Sequence, residues 1–507
     1  MKSGDPNKVV LIDHTSNEVI PNKILLEWSI SLAKYLKSQG YTQKEDVIAI
    51  VSPNTWKYYV VLNAGLFLGI PMNALNPIYN KEEFKHCFSI TKPTIIFASV
   101  VCLKTLENYR RHTDNSIKEI ILLEDVIDDN FKNICYISQQ NSIYDDYILE
   151  KVDPKKQTAL ILLSSGTSGL PKAVALTHYN IRHSMEYLMH PDFVGLDEKS
   201  VSLVVLPMFH IFGLLISFTC MTTQSKSIFL TQFKPDIYLK AIEEHKVTNL
   251  FLVPSLLLFL AKTPLLQNYN MDSVTNIFCG AAPAGKELEL CVKKRFRNAE
   301  IKQIYGVTEL AGAVTMTTKT TTSKHGSVGV PVPGTIIKII DLDTKKVLPL
   351  GKKGEVCIKS PGCMKGYVAN DLETRNSFDD DEFLKTGDLG YFDEDGVLFI
   401  VDRLKEVIKY KGFQVSPAEL EDLLKKLDGV MDVGVVGKPD ERSGELPVAF
   451  VVKAPECDIT EETLINYVAD NLSAYKGLHG GVIFVDKLPK NSTGKLLRRE
   501  LIDQLKI

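Results

Sequence analysis

Ser164-Ser165-Gly166-Thr167-Ser168-Gly169-Leu170-Pro171-Lys172 follows directly on the apolar run 159–163. The segment reads as a strand entering a phosphate-holding loop. Glycines let the backbone approach an anion and turn its N–H groups inward, hydroxyls add donors without bulk, and Lys172 adds positive charge at the exit. The pattern points to a nucleoside triphosphate or another polyphosphate. Its spacing does not fit G-x-x-x-x-G-K-[ST], which argues against a Walker-type NTPase, and the chain carries no G-x-G-x-x-G for a dinucleotide.

Outward from this loop, apolar β-rich runs alternate with helical periodicity. Helices are expected over 23–39, 55–68, 235–245, 255–261 and 286–296, and strands over 47–52, 227–230, 249–253 and 276–279. This is the rhythm of an α/β protein whose sheets are covered by helices. From about 326 to 400 the pattern changes to short alternating strands with Gly and Pro turns, implying a β-rich, barrel-like subdomain. A boundary follows near Asp402-Arg403-Leu404-Lys405. The expected organisation is a large domain, 1–403, and a small α+β domain, 404–507, with its own core.

The chain has 507 residues, 45% hydrophobic and 24% charged, with a net charge of −3. Such a length requires more than one core, and such a charge offers no field for nucleic acid or an anionic membrane. The nine cysteines are scattered without C-x-x-C, which argues against a disulfide framework or zinc cluster and favours a reducing compartment. Residues 201–221 contain no Asp, Glu, Lys or Arg, but Pro207, His210 and Gly213 break the run. A strand, a turn and a buried helix are expected there, with no membrane insertion. The first residues show no secretory pattern and the last are not Ser-Lys-Leu. The expected location is cytoplasmic, or peroxisomal if the C-terminus is trimmed; no protein partner is predicted.

Further candidates lie at predicted strand ends, where open α/β sheets bind ligands. Tyr305-Gly306-Val307-Thr308-Glu309, after a strand over 301–304, offers an aromatic face for a purine, a glycine for close approach, a hydroxyl for phosphate and a carboxylate for Mg²⁺. Gly280-Ala281-Ala282-Pro283 makes a small-residue corner for a flat ring. Asp388, after Thr386-Gly387, suits two ribose hydroxyls, and Arg403 suits ribose or phosphate oxygens. His210 and Phe212 are placed to line an acyl or aromatic acid pocket.

These motifs, with Lys405-Glu406-Val407-Ile408-Lys409-Tyr410-Lys411-Gly412 and the segment ending at Lys495, occur in the order and at the separations of the adenylate-forming superfamily. The chain resembles its acyl-CoA synthetases, 4-coumarate–CoA ligases and insect luciferases over nearly its whole length, and most closely its luciferase-like and 4-coumarate ligase-like branch. The resemblance implies that Ser164, Ser165, Gly166, Thr167, Ser168, Gly169 and Lys172 hold the β- and γ-phosphates of ATP. It further implies that Tyr305 and Gly280–Pro283 sandwich adenine, Thr308 and Glu309 serve phosphate and Mg²⁺, and Asp388 and Arg403 bind ribose. Lys495 is then the catalytic cation of adenylation and Lys405 the hinge. Lys409 and Gly412 belong to the segment that turns inward for the CoA half-reaction. His210, Phe212, Gly280 and Ala313 border the acid. The implied function is ATP-dependent activation of a fatty or aryl acid followed by transfer to CoA. The alternative is a luciferase in which O₂ replaces CoA and a luciferin is the acid. Insect luciferases commonly read Thr-Thr-Ser-Ala where this chain reads Leu310-Ala311-Gly312-Ala313. Ser168 and Ala173 also depart from the family's usual threonine and glycine.

Overall fold

A computed structural model describes residues 5–112, 116–126, 130–139, 147–164, 171–282, 284–318, 321, 324–411, 413–455, 457–472, 474–491 and 494–505. Two large sheets form its body. One runs, edge to edge, Gly366–Tyr367, Lys172–Thr177, Thr158–Ser164, Met72–Leu75, Ile48–Val51, Ile95–Ala98, Glu119–Leu122, Lys132–Asn133. Its inner strands are parallel, and Met72–Leu75, Ile48–Val51 and Ile95–Ala98 are buried at every residue. Burial on both faces explains why these strands read as continuous apolar runs rather than alternating ones.

The other sheet runs Val330–Pro331, Gly312–Met316, Glu300–Val307, Asn276–Cys279, Asn249–Leu252, Val201–Val204, Lys226–Phe229, Val9–Asp13, Glu18–Pro21. It is parallel through its middle, with an antiparallel hairpin at each end. Helices pack between the sheets. Trp56–Leu68 is opened by Thr55, whose hydroxyl accepts from Lys57 N–H, and closed by left-handed Gly69. It meets Ile211–Thr223 where Tyr59 Oη donates to Ser217 Oγ at 3.1 Å.

Residues 201–221 resolve as expected into strand Val201–Val204, a turn and the buried helix Ile211–Thr223. No helix among the described residues is long and apolar enough to cross a membrane. One expectation shifts. The strand expected over 301–304 continues to Val307, so Tyr305 and Gly306 lie inside it, paired with Gly312–Met316. A Cβ at Gly306 would stand 1.9 Å from Gly312 O, so this glycine serves the close return of its own chain.

The β-rich stretch forms a four-stranded antiparallel sheet, Ile336–Ile340, Gly354–Lys359, Leu384–Phe392 and Leu398–Arg403. Beyond it, the smaller C-terminal domain builds on a sheet whose longest strands are Val430–Asp440 and Gly444–Lys453. Alternation divides this sheet's faces: Val433, Val435, Ala449 and Val451 pack with Leu420, Leu424, Leu464 and Val468, while Val436, Val448, Phe450 and Val452 pack with Leu488 and Leu501. The domain therefore carries its own two-sided core.

At the junction, buried Asp402 accepts from Ser416 Oγ at 2.5 Å and from Ala418 N–H at 3.2 Å. Ser416 caps helix Pro417–Leu424. Arg498 ties Glu406 to Glu421 and donates to Val435 O.

Candidate active site

A cavity of about 1320 Å³ opens where the two large sheets, the four-stranded sheet and the C-terminal domain meet. Strand ends supply most of its chemistry. The hairpin formed by Thr158–Ser164 and Lys172–Thr177 pairs Ser164 with Lys172, and both residues line the cavity together with Pro171. Ser164 Oγ is buried without a hydrogen-bond partner among the described residues, which fits a phosphate oxygen as its missing acceptor. Lys172 is ion-paired to Glu373, and its ammonium stands 5.1 Å from the Tyr367 ring centre. Ser165, Gly166, Thr167, Ser168 and Gly169, together with Pro283 and Gly412, lie outside the described residues.

Thr308 and Glu309 open a single 3-10 turn that reverses the chain between paired strands. Both line the cavity, and Glu309 Oε1 accepts from Tyr367 Oη at 3.0 Å, leaving Oε2 for another partner. A carboxylate beside a hydroxyl is an oxygen donor set that fits Mg²⁺.

Asp388 and Arg403 face each other across adjacent strands, with Arg403 Nε 2.8 Å from Asp388 Oδ1. Tyr305 Oη donates to Asp388 Oδ2 at 2.6 Å. Burial pushes the Asp388 carboxyl upward against the pull of Arg403, and burial with Asp388 pushes the Tyr305 phenol up. Arg403, Thr386 and Gly387 face the cavity, whereas Tyr305 and Asp388 stand behind its wall.

His210 caps helix Ile211–Thr223, its Nδ1 accepting from Phe212 N–H at 3.4 Å. That bond places the proton of the neutral ring on Nε2. Burial, aided by the Lys495 ammonium, lowers its pKa to about 4. Phe212, Leu215, Ala313 and Gly280 give this end of the cavity an apolar lining. Ala281 lines it with a left-handed φ of 72°, a conformation non-glycine residues rarely hold. Ala282 is half-buried outside the lining.

Lys495 reaches the cavity from the C-terminal domain, held by a turn in which its N–H donates to Asn491 Oδ1 at 2.8 Å. Burial and then Arg403 lower its pKa, while Glu406 and Asp388 oppose them. Lys405 lies on the rim, just past Arg403. Lys409 is exposed on strand Ile408–Tyr410, its N–H bonded to Glu445 at 2.7 Å, and takes no part in the lining.

Three contributors escaped the motif reading. Glu373 and Tyr367 hold Lys172 and Glu309. Gln303, buried in strand Glu300–Val307, clamps the Gly280 corner: its Oε1 accepts from Ala284 N–H at 3.3 Å and its Nε2 donates to Ala284 O at 2.8 Å and to Glu289 at 2.5 Å. No local signal marks Gln303, which follows Glu300 and Lys302 in the same strand.

The family model for an AMP-binding enzyme matches residues 3–368, and that for the AMP-binding enzyme C-terminal domain matches 419–495. The chain belongs to the AMP-binding enzyme family. Among curated members, the luciferin 4-monooxygenase of Nipponoluciola cruciata is 38% identical over 95% of this chain and 88% of its own length. A probable 4-coumarate–CoA ligase 1 of Dictyostelium discoideum is 35% identical over 98% and 92%. The crystal structure of ATP-bound MatB from Rhodopseudomonas palustris superimposes with a TM-score of 0.89 at 26% identity, over 99% of this chain and 96% of that one. This AMP-binding enzyme thus matches family models in its N-terminal and its C-terminal parts.

Proposed function

We propose that this AMP-binding enzyme is an acid–thiol ligase that converts a fatty or aryl carboxylic acid to its CoA thioester through an acyl-adenylate. The observation that carries the reading is the meeting of Lys495, Arg403, Thr308, Glu309 and His210 in one cavity, although they derive from both domains.

In the first step a carboxylate oxygen forms a bond to the α-phosphorus of ATP as the bond to the departing pyrophosphate breaks. Two anions must meet, so the barrier is largely electrostatic. Lys495 stabilises charge developing between carboxylate and α-phosphate in a site screened from bulk water. Neutral His210 offers its Nε2–H to the acid and adds no charge of its own. Ser164, Lys172 and the loop between them hold the outer phosphates, and Arg403, braced by Asp388 from behind the cavity wall, receives the ribose. Mg²⁺, for which Thr308 and Glu309 provide donors, supplies neutralising charge to the phosphates when bound.

In the second step the CoA sulfur attacks the acyl carbon, AMP leaves with the former carboxylate oxygen, and the thiol proton passes to solvent. The cavity in its present form has Lys495 inside and Lys409 outside, which supports a rotation of domain 404–507 about Lys405 between the steps. Rotation would exchange Lys495 for the Lys409–Gly412 segment. The alternative, suggested by the N. cruciata relative, keeps step one with a luciferin as the acid and replaces CoA with O₂.

The test is incubation with ATP, Mg²⁺ and a panel of fatty acids, cinnamates and luciferins, following pyrophosphate exchange, CoA thioester and light. Exchange with thioester supports the ligase. Light without thioester transfers the reading to a luciferase. No exchange with any acid overturns both.

A further inference from the structure

Away from this cavity, three metal-capable side chains from distant parts of the chain converge. His14 follows strand Val9–Asp13, and Glu244 and His245 end helix Pro235–His245. His14 Nδ1 lies 3.0 Å from His245 Nε2 and 3.8 Å from Glu244 Oε2. The rings meet edge-on, with centres 5.1 Å apart, and the three ligand atoms all lie within 4.8 Å of one another. None of the three lines the active-site cavity.

We propose that His14, Glu244 and His245 form a binding site for a zinc-class divalent cation, which fastens the first strand and its hairpin to helix Pro235–His245. Donor atoms around tetrahedral zinc, with bonds of about 2.0–2.2 Å, stand about 3.3–3.6 Å apart. The two nitrogens need to part slightly and the carboxylate to swing toward His245, which a half-exposed glutamate achieves by turning its side chain.

Two imidazoles with one carboxylate suit zinc better than magnesium or calcium, which prefer all-oxygen shells. Glu244 divides its oxygens: Oε1 faces Lys240 at 3.4 Å, while Oε2 faces His14. Lys226 is the other cation near His245, and Asp13, beside His14, is engaged with Thr15 and Ser16 N–H.

Backbone bonds fix both histidines before any ion arrives. His14 N–H donates to Phe229 O at 3.2 Å, extending the pairing of Asp13 with Phe229. The helix closes at left-handed Lys246, with Val247 N–H on Ile242 O at 3.1 Å. The Val9–Asp13 strand carries only the edge strand Glu18–Pro21 beyond it. A bound ion therefore ties an exposed sheet margin to a packed helix.

The test uses the full chain, free of any affinity tag and stripped with chelator, titrated with ZnCl₂ without nucleotide. Expected are one zinc retained per chain after gel filtration, a higher unfolding midpoint, and affinity reduced about tenfold or more in His14→Gln and His245→Gln. Glu309→Gln, altered only in the nucleotide cavity, should bind zinc as the parent does. Co²⁺ added to the unaltered protein should give the visible absorption of a tetrahedral nitrogen and oxygen site, a readout that holds if the histidine variants fold poorly. Failure to retain zinc, equal retention by His14→Gln, or loss of retention in Glu309→Gln would overturn the proposal and leave a plain imidazole–imidazole hydrogen bond. A zinc-binding protein that fails pyrophosphate exchange would sink the ligase reading alone.

Discussion

Lys495 and Lys409 belong to the same small domain yet stand in opposite surroundings. The first lines the cavity, where burial and Arg403 lower its pKa; the second is exposed, its backbone N–H donating to Glu445. A lysine whose charged form is disfavoured by its site gains most when an anion enters. An exposed lysine gains little until its surroundings change. The contrast separates a residue already at its task from one that needs the domain to move.

Removing the inner lysine should have the largest effect. Lys495→Ala is expected to slow adenylation by on the order of 10²–10³, about 3–4 kcal/mol, by analogy with the loss of one oxyanion donor. Thioester formation from supplied acyl-adenylate should persist, and equal loss in both assays would erase the division between the two lysines. Next comes the pivot. Lys405→Pro should keep pyrophosphate exchange measurable while thioester formation falls on the order of 10², the scale expected of a misaligned reacting group. If both steps fall equally, Lys405 is not a hinge.

A smaller effect sharpens the inner environment. His210 should titrate near 4, observable by NMR of labelled histidine, and Lys495→Ala should move that midpoint upward but short of 6.5, because burial is its larger cause. The sign for stability follows. Between pH 6.5 and about 4 the unfolded chain takes up a proton at this position that the folded chain refuses, so His210 removes stability as pH falls through that window. A midpoint unchanged in Lys495→Ala would break the electrostatic link. The smallest effect belongs to the hairpin rim. Glu373→Gln should free Lys172 for phosphate and lower the KM for ATP by at most about fivefold, since partly exposed ion pairs contribute about 0–1 kcal/mol. A raised KM would mean that Glu373 helps hold the nucleotide.

Much of this site was legible because its parts are strand ends with local signatures. The hydroxyl and glycine run 164–169, the Thr308-Glu309 turn and the Gly280 corner each interrupt an apolar run within a few residues, and Ser164, Thr308 and Gly280 sit at the ends of strands. Strand Glu300–Val307 was read short because Tyr305 and Gly306 look like a turn, whereas their pairing with Gly312–Met316 depends on a return that local pattern does not encode. Pairs such as Lys172 with Glu373, 201 residues apart, and His14 with His245, 231 apart, leave no periodic trace. The exposure of Lys409 likewise depends on how one domain sits against the other.

The carboxylate of Asp402 gives the junction a further property. It precedes the proposed pivot, while its partners Ser416 and Ala418 follow it, and both Asp402 and Ser416 are held out of water. Swinging the small domain would strip that carboxylate of its donors from Ser416 and Ala418, leaving only Arg403 N–H, and wet it, so each turnover would draw solvent into the joint and expel it again. Osmolytes excluded from protein surfaces should then retard acyl transfer while sparing pyrophosphate exchange, making the rhythm of the cycle sensitive to water activity.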